Sequence, residues 1–563
     1  MKNKLSKLIP YIIIFIATLA ISIPLFNKNL NMYRDDGIQH ICRLMGTYQS
    51  ITEGQFFSVI MSNFCNGFGY SWNIFYSPLT AYLPLILKIF NLSYTNCIKV
   101  FMFIVVYSSG IAMFKFTNKV TKNKSIATLS AIIYILAPYR ITDMYVRNAL
   151  AELTSFIFIP IVFNGLYTLI NEEKKSYLLA WGAIGLILTH TVITLYTAIL
   201  CFIYSLIYFK KLKNVQILKN LIINVLFIII ATSFYWVPLL EHKLATNYEV
   251  FVPGRMERTE VLQSLKVKPE ALLYTSEQSI FIYDIGAINT VGIVLIILAY
   301  KKIPIEYRKM HMVFLIMGLV LLIMTLDFFP FEKLPRILKM IQFTFRLFEF
   351  TSFFFAFVVA VNFGSLIKNF KTRDAVLFLI ISILLIVPYK NKIEYKENDE
   401  NNLWPAVNLT HNTGRVHAGM ASLEYLPSKA FNNKDYIVDR ENTAIIVAGN
   451  AYIKNFIKNG TNMEIEIENI QENTIIELPY IYYLGYQIKC INTENNNVTY
   501  LKYAESDNGF IQISFNEKNI SYKIEVQYIG TIGMKISSAI SVISIIMMIF
   551  AQWHIKNKKT CYI

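Results

Sequence analysis

The sequence predicts a polytopic α-helical membrane protein of about twelve transmembrane helices, with an extracytoplasmic β-sandwich-like domain near the C-terminus. Of the 563 residues, 55% are hydrophobic, and the mean hydropathy is +0.44. Apolar runs long enough to cross a bilayer core of about 30 Å recur up to residue 389. Residues 390–530 are instead rich in asparagine and charge and contain short alternating runs. These three observations predict the fold class.

The first apolar run follows a basic segment, MKNKLSK, and extends over about 19 residues. This arrangement is typical of a signal peptide, but no small-residue cleavage site follows the apolar run. We therefore interpret it as a retained signal anchor and the first transmembrane helix.

Apolar length and flanking charge place the other helices, because lysine and arginine collect in cytoplasmic loops. The lysine-rich loops at 115–124, 174–175, 210–213 and 301–309 are then inside, and both termini are cytoplasmic. The segment 77–90 is too short to span, so we expect it to be re-entrant or to lie on the membrane surface. The predicted spans are 8–26, 97–116, 125–139, 150–170, 177–190, 191–209, 217–235, 286–300, 311–326, 347–366, 375–389 and 531–552.

The runs NMEIEIENI, YQIKCI, GFIQISF and SYKIEVQYI have the period of two that half-buried strands show. Span parity places the β-rich domain that they form, residues 390–530, outside the cell. Residues 1–389 then form the membrane domain, and residues 531–563 form a C-terminal transmembrane helix with a cytoplasmic tail. The outer loops of the membrane domain are 27–95, 139–149, 236–285 and 327–346.

The net charge of +16 does not indicate a nucleic-acid partner, because basic residues first orient a membrane protein. The six cysteines lack metal-type spacing, although Cys42 and Cys65 leave a disulfide outside the membrane open. The sequence contains no Walker A loop, GxGxxG, HExxH or GxSxG motif. A nucleotide-driven pump and a nucleotide-sugar enzyme are therefore unsupported.

The first outer loop begins with an acidic pair, Asp35 and Asp36, directly after the first span. On a helix that starts at Asp36, the side chains of Asp36, His40, Arg43 and Thr47 fall within about 60° of each other. We expect an amphipathic helix on the outer membrane surface, with this stripe facing water. The alternative is that the two acids only cap the helix and favour its dipole.

A second charged cluster, APYRITDMYVRNALAE, lies between the third and fourth predicted spans, on the same outer side. Arg140, Asp143 and Arg147 are spaced i, i+3, i+7, so one helical face can present all three, with Glu152 following. The alternative is a salt-bridged turn at the membrane interface without a catalytic role.

Other outward segments add single candidate residues: Glu241 and His242 in TSFYWVPLLEHK, Arg255 and Arg258 in VPGRMERTE, and Arg346 in IQFTFRLFEF. His190 in ILTHTVITLY lies near a predicted membrane boundary, where a lone histidine is either functional or a satisfied packing residue.

Arginine and lysine are distributed differently across the membrane. Of twelve arginines, Arg308 and Arg373 lie in predicted inside loops, whereas eight lie in outward loops of the membrane domain: Arg34, Arg43, Arg140, Arg147, Arg255, Arg258, Arg336 and Arg346. The positive-inside rule alone would place both residue types inside. Planar bidentate guanidinium groups suit phosphate oxygens, so an outer-leaflet phosphate ligand explains the bias. Binding of anionic lipid headgroups without catalysis is the alternative.

Several segments together resemble bacterial GT-C-type membrane glycosyltransferases, and more narrowly the YfhO-like, "6-pyruvoyl-tetrahydropterin synthase-related" membrane proteins. They are the acidic pair with its nearby histidine, EGQFF, the aromatic run that ends in FYSPL, APYRITDMYVRNALAE, LTHTVITLY, FYWVPLLE and IQFTFRLFEF. EYLP and LPYIYYLGYQI extend the resemblance loosely into the outer domain. The pterin label implies no pterin chemistry, because the sequence lacks a histidine cluster of zinc-site type.

This resemblance implies a GT-C-like helix bundle, a polyprenyl-phosphate-linked sugar donor and a catalytic acid in the first outer loop. Asp35 or Asp36 would then be the general base of an inverting transfer to an acceptor hydroxyl, with His40 assisting. The departing phosphate would contact Arg140, Arg147, Arg346 and Arg43, and the supporting residues would be Asp143, Glu152, His190 and Glu241.

Asp35, Asp36 and His40 could also hold a divalent metal, Mg²⁺ or Mn²⁺, and no cofactor is otherwise expected. We expect the protein in the bacterial plasma membrane, among membrane lipids, with a glycan, glycolipid or protein of the cell envelope as acceptor. Two alternatives remain open. One is a lipid or polysaccharide flippase, which should show internal repeats and charges near the membrane midplane. The other is a non-catalytic scaffold that displays a glycan-binding β domain.

Overall fold

The fold is known from a computed structural model, which describes residues 2–560 except 56, 58, 256–264, 274–278, 280, 412–418, 421 and 519. The predicted candidate Arg258 lies outside the described residues. Fourteen helices of eight or more residues lie in the described part of the chain: α1 Lys2–Ser22, α2 Gly37–Thr52, α3 Tyr94–Thr121, α4 Lys124–Ile135, α5 Leu150–Ile170, α6 Leu178–Ile187, α7 Thr191–Ile207, α8 Val215–Ala231, α9 Ser233–Ala245, α10 Ala287–Val294, α11 Ile305–Thr325, α12 Leu347–Leu366, α13 Thr372–Ile386 and α14 Ile532–Thr560.

By length and composition, seven helical segments among the described residues can cross a membrane: Lys7–Phe26, Tyr94–Thr121, Leu150–Ile170, Ile305–Thr325, Thr344–Leu366, Thr372–Lys392 and Ile532–Ile555. Two bent helix pairs raise the number to nine if each pair is one span. Lys124–Ile135 and Pro138–Val146 meet at 45°, and Val215–Ala231 and Ser233–Ala245 meet at 61°.

The predicted count of about twelve spans is therefore not confirmed. The predicted spans 177–190 and 191–209 fold as helices of only 10 and 17 residues, α6 and α7. The predicted span 286–300 breaks into two short helices, Ala287–Val294 and Ile296–Ala299. The segment 77–90 contains only short helices, as its length predicts. Hydropathy located these helices correctly but did not determine which are long enough to cross.

The centre of the helical domain is α12, whose residues Leu347 to Asn362 are all buried. A helix that is apolar on all sides must be surrounded by other helices or by lipid, and α12 is surrounded by protein. The Phe353 ring lies 5.0 Å from the Phe163 ring of α5, and the Phe354 ring lies 4.9 Å from the Phe314 ring of α11. Close van der Waals packing of this kind holds helices together where lipid replaces water.

The C-terminal domain contains nine described strands: β1 Ile445–Ala448, β2 Tyr452–Asn459, β3 Asn462–Ile470, β4 Thr474–Ile481, β5 Tyr486–Asn492, β6 Val498–Leu501, β7 Ala504–Glu505, β8 Phe510–Phe515 and β9 Ile520–Tyr528. They form two antiparallel sheets, with orders β1-β4-β8-β7 and β2-β3-β9-β5-β6. The alternating runs are strands as predicted, since Met463, Ile465 and Ile467 of β3 are buried and their neighbours are not. The sandwich packing and the boundary at residue 390 remain predictions.

The chain between the last helix of the membrane domain and β1 runs back across the outer loops. The Asn31 N–H donates to the Glu394 carbonyl at 3.0 Å, and the Cys65 N–H donates to the Val407 carbonyl at 2.9 Å. The Val250 N–H donates to the Glu424 carbonyl at 2.7 Å. Glu394 and Val407 therefore pair with the first predicted outer loop, and Glu424 pairs with the predicted outer loop 236–285. Cys42 and Cys65 are both free thiols, so the disulfide that the sequence left open does not form.

Candidate functional site

Two loops that are distant in sequence meet at the start of α2. The Asp36 N–H donates to the Arg147 carbonyl at 3.0 Å, and the Asn148 side-chain amide donates to the Asn31 carbonyl at 3.1 Å. Gly37 lies so close to the second loop that a Cβ atom would approach Asn148 Cβ to 2.8 Å. Asp35 has the left-handed conformation, with φ of 41°, which turns the chain into the helix. The acidic pair is thereby held beside Arg147.

Arg147 is the centre of the resulting charge cluster, and its side chain is only 2% exposed. Its Nη1 lies 2.7 Å from Glu152 Oε2 and 3.3 Å from Asp143 Oδ1. Its Nη2 lies 3.1 Å from Asp36 Oδ2, and its Nε lies 3.4 Å from Asp35 Oδ2. One guanidinium thus pairs with four carboxylates, an arrangement that its five fixed N–H donors allow.

Asp36 occupies the N-cap position of α2, but its side chain makes no capping hydrogen bond. Its carboxylate instead pairs with Arg147. Capping by this side chain, the alternative that the sequence left open, is therefore not its role in this structure.

Glu152 joins a second arginine to the cluster. Arg346 Nε lies 3.1 Å from Glu152 Oε2, and Arg346 Nη1 donates to Gln342 Oε1 at 2.7 Å. The Tyr139 hydroxyl donates to the other oxygen of Glu152. Glu152 is fully buried, so these donors compensate a charge that would otherwise be costly to bury.

Arg43 lies in a different electrostatic environment. Its Nε donates to Asn73 Oδ1 at 2.9 Å, and its Nη2 donates to the carbonyls of Tyr76 and Ser77 at 3.1 and 2.9 Å. Its Nη1 is buried and has no hydrogen-bond partner, and no carboxylate among the described residues lies within 4 Å of the guanidinium. The side chain is 1% exposed. A buried cation without a counter-ion suits an anionic ligand.

These residues surround a cavity of about 350 Å³, which we call the charged cavity. The predicted site residues that line it are Asp35, Asp36, His40, Arg43, Arg147, His190 and Arg346. The sequence therefore identified most of its charged lining, from four separate segments of the chain.

The water-facing stripe predicted on α2 is wrong, because α2 is buried on both faces. His40, Arg43 and Thr47 are buried along one side, and Ile41 and Met45 are buried along the other. His40 and Arg43 line the charged cavity rather than face bulk water. The helical period grouped these side chains correctly but could not show what covers them.

Four predicted residues do not line the charged cavity: Arg140, Asp143, Glu152 and Glu241. Asp143 and Glu152 instead form ion pairs with Arg147, which lines the cavity. The Arg140 guanidinium carbon lies 4.1 Å from the centre of the Phe156 ring, and Nη2 donates to the Tyr134 carbonyl. Arg140 is fully buried and its Nε and Nη1 have no hydrogen-bond partner, but it does not reach the charged cavity, where its phosphate contact was predicted. A π-helical turn at Thr142–Val146 displaces Arg140 from the face that its spacing assumed.

Glu241 lies elsewhere, at the C-terminal transmembrane helix, where it accepts a hydrogen bond from the Thr531 hydroxyl at 2.6 Å. His190 is both a helix cap and a lining residue, since its Nδ1 accepts from the Ile193 N–H at 3.3 Å. The structure therefore agrees with both interpretations of His190, as a functional residue and as a packing residue.

Burial changes the acid–base properties of two lining residues. The Asp35 side chain is only partly buried, at 48% exposed, yet desolvation first, and then the neighbouring charge of Asp36, raises its pKa to about 6, although Arg147 opposes the shift. Burial also lowers the pKa of His40 to about 4, so His40 is neutral at pH 7. Asp35 can consequently exchange a proton near neutral pH, whereas His40 can only donate or accept a hydrogen bond.

The residues predicted to hold Mg²⁺ or Mn²⁺ do not form a metal site by their geometry. The Arg147 guanidinium contacts oxygens of both Asp35 and Asp36, which a metal would have to displace. Among the described residues, no group of three or more His, Cys, Asp or Glu side chains is arranged to hold a metal ion.

Sequence reasoning missed one wall of the charged cavity, which comes from the segment that precedes the β domain. Ser422, Glu424 and Tyr425 line the cavity, and the Tyr425 ring stacks on Phe75 at 5.5 Å. The Tyr425 N–H donates to the Tyr70 hydroxyl at 3.3 Å. The EYLP segment was a signal for this wall, because it belonged to the resemblance without any assigned role.

Comparison with known proteins gives two findings. The chain is 24% identical to an uncharacterized protein of Lactococcus lactis subsp. cremoris (strain MG1363), over 97% of this chain and 96% of that protein. The family model described as "6-pyruvoyl-tetrahydropterin synthase related domain; membrane protein" matches residues 74–395, which is more than half of the chain. The chain therefore belongs to the 6-pyruvoyl-tetrahydropterin synthase-related family of membrane proteins, the YfhO-like group that its sequence resembles.

Proposed function

We propose that the protein is an integral membrane glycosyltransferase of the cell envelope. It would transfer a sugar from a polyprenyl-phosphate-linked donor to an acceptor hydroxyl at the outer face of the plasma membrane. In this proposal both termini are cytoplasmic and the β domain is extracytoplasmic. One observation carries the proposal: the charged cavity holds both a carboxyl group with a raised pKa and a buried arginine without a carboxylate partner.

The raised pKa of Asp35 supports Asp35, rather than Asp36, as the general base of the proposed reaction. Its side chain is 48% exposed, so an acceptor can reach it, and a base whose pKa lies near the working pH is more effective. Asp35 would accept the hydroxyl proton while the acceptor oxygen bonds to the anomeric carbon. The bond from that carbon to the phosphate oxygen would break at the same time, which inverts the anomeric configuration. Asp36 and Arg147 would position Asp35.

The lipid phosphate would leave toward Arg43, with Arg346 nearby in the same cavity. Arg43 has an unpartnered buried Nη1, whereas every nitrogen of Arg147 already contacts a carboxylate. Preorganised positive charge in a partly dry cavity stabilises a developing phosphate charge more than the same charge in water. Of the four arginines predicted to bind phosphate, this contrast supports Arg43 more than Arg147.

The activity itself is tested with the purified full-length protein in liposomes. Undecaprenyl-phosphate-linked glucose, galactose and mannose would be supplied in turn, with bacterial membranes as the source of acceptor. We expect one donor to yield labelled glycan or glycolipid together with free undecaprenyl phosphate. Movement of the intact donor across the bilayer without release of undecaprenyl phosphate would favour the flippase alternative.

Replacing Arg43 with glutamine should raise the KM for the lipid-linked donor about 10- to 100-fold, because a hydrogen bond to a charged group contributes roughly 1.5–3 kcal/mol. The measurement is donor-dependent kinetics at saturating acceptor. Arg336 is an exposed arginine of the same predicted outer side and does not line the cavity, so Arg336→Gln is the matched control. An unchanged donor KM in Arg43→Gln would remove Arg43 from phosphate recognition.

The activity should also depend on pH through Asp35. Its raised pKa means that the carboxyl group is protonated, and unable to accept a proton, below about pH 6. We expect kcat/KM to be constant above this pH and to fall about tenfold for each pH unit well below it. A pH profile from 4.5 to 8 measures the effect. An acid limb centred near pH 4, the usual range of an aspartate, would contradict the assignment.

A further inference from the structure

A second cavity, of about 450 Å³, lies where the first outer loop meets α9 and the start of α14. We call it the junction groove. Its walls are mainly apolar and include Ile74, Phe234, Pro238, Ile529 and Met534. At its rim the Phe57 side chain is 46% exposed, and the Phe57 ring lies 6.1 Å from the Phe234 ring. A cavity of this volume and character fits an apolar ligand.

The position of the junction groove suggests which apolar ligand reaches it. One wall belongs to α9, the second half of a bent pair with the composition of a span, and another belongs to α14, which begins the span Ile532–Ile555. Tyr528 and Ile529, at the end of β9, complete that side. The groove therefore lies at the end of two candidate spans, beside the β domain. Lipid headgroups occupy this level around a helix that crosses the membrane.

Among the described lining residues of the junction groove, the one charged side chain is that of Lys535. Lys535, an exposed residue in the first turns of α14, contributes to its lining, whereas no aspartate or glutamate occurs among the described lining residues. Ser538, one turn further along α14, also lines it. An ammonium group next to an apolar cavity at the membrane surface complements an anionic headgroup whose chain enters the cavity.

We propose that the junction groove binds one acyl chain of an anionic phospholipid, with the lipid phosphate at Lys535. This site is distinct from the charged cavity and does not depend on the proposed transfer reaction. The segment 72–78 lines both cavities. Its residues Trp72, Phe75 and Tyr76 line the charged cavity, whereas Asn73 and Ile74 line the groove. A bound lipid would therefore hold the segment to which Arg43 donates its hydrogen bonds.

The test is lipid binding, which needs no sugar donor. Purified, delipidated full-length protein in detergent would be titrated with palmitoyl-oleoyl-phosphatidylglycerol and with the matching phosphatidylcholine, and bound lipid would be counted by native mass spectrometry. We expect tighter binding of phosphatidylglycerol. Lys535→Gln should weaken that binding about fivefold and leave phosphatidylcholine unaffected, because one lysine near the surface has an effect of this size.

Matched controls separate the groove from general lipid binding. Lys502→Gln removes an exposed lysine of the β domain and should change nothing. Ser538→Phe fills the groove and should abolish tight binding, whereas Ile543→Phe alters a 57% exposed side chain elsewhere on α14 and should preserve it. Equal affinity for the two lipids, or unchanged phosphatidylglycerol binding in Lys535→Gln, would overturn the proposal. Tighter binding of undecaprenyl phosphate that is lost in Ser538→Phe would also overturn it, because the groove would then hold the donor chain.

Discussion

Replacing Asp35 with asparagine is expected to slow sugar transfer about 10²- to 10⁴-fold, the usual contribution of a general base. The amide has nearly the same shape as the carboxylate but cannot accept the acceptor proton. Donor binding should change little, because in the proposed complex the donor phosphate would contact Arg43 rather than Asp35. The measurement is the initial rate of transfer at saturating lipid-linked donor, and the KM for the donor is determined in the same experiment.

Two variants make this result specific. Glu241→Gln changes a carboxylate that the sequence also proposed but that lies at the C-terminal helix, so its rate should equal that of the unmodified protein. Asp36→Asn should reduce the rate less than Asp35→Asn, because Asp36 positions Arg147 and does not take the proton. Full activity in Asp35→Asn with loss of activity in Asp36→Asn would reverse the two roles. Full activity in both would exclude the acidic pair as the source of the base.

Helical periodicity predicted which charged residues lie together but not their exposure. On α2 it grouped Asp36, His40 and Arg43 correctly, because side chains on one helical face stay together whatever surrounds the helix. The residues that cover this face come from 72–77 and 422–425, far away in the sequence. No local pattern in α2 contains that information. Asp36, His40 and Arg43 of the predicted water-facing stripe therefore line the charged cavity instead.

Local sequence patterns also could not predict which residues pair with the arginines. Spacing placed Asp143 and Arg147 within reach of each other, and they do pair, at 3.3 Å. The contact of Arg147 with Asp35 and Asp36 instead requires two loops 111 residues apart to meet. The residues around an arginine decide whether it can bind phosphate. Because local sequence does not reveal those residues, it predicts the same role for Arg43, Arg140 and Arg147. In the structure four carboxylates contact Arg147, whereas no described carboxylate lies within 4 Å of Arg43 or Arg140, and of these two only Arg43 lines the charged cavity.

The prediction of the membrane spans from hydropathy was also correct only in part. Hydropathy located α3, α5, α11 and α12 within a few residues, since these helices are long and continuously apolar. It also counted α6 and α7 as spans, although they contain only 10 and 17 residues. A hydropathy threshold measures apolar content, whereas crossing also requires helical length. Two bends, at 45° and 61°, interrupt segments that the sequence predicts as single spans. The first bend has a local signature in Pro138, which begins its second helix, because a helix usually ends before a proline.

Replacing Arg147 with methionine is expected to have the largest effect on stability, about 3–5 kcal/mol, as when one partner of a buried ion pair is removed. Methionine fills a similar volume but leaves the buried carboxylates of Asp143 and Glu152 without their shared cation. The measurement is the free energy of unfolding in mixed micelles titrated with sodium dodecyl sulfate. Arg373→Met, at an arginine that is 83% exposed, is the control and should cost less than 1 kcal/mol.

The double variant Arg147→Met with Glu152→Gln distinguishes a charge effect from a packing effect. Glu152 has the shortest contact to Arg147, at 2.7 Å, and its neutral amide needs no cation. If unpaired charge causes the instability, the second substitution should recover part of the loss, although Arg346 then loses its carboxylate partner as well. If packing causes it, the two losses should add. A stable Arg147→Met protein with only a raised KM for the lipid-linked donor would contradict both outcomes. It would restore Arg147 to the phosphate-binding role that its sequence context alone suggests. In the structure four carboxylates neutralise this guanidinium, which leaves little charge for a donor phosphate.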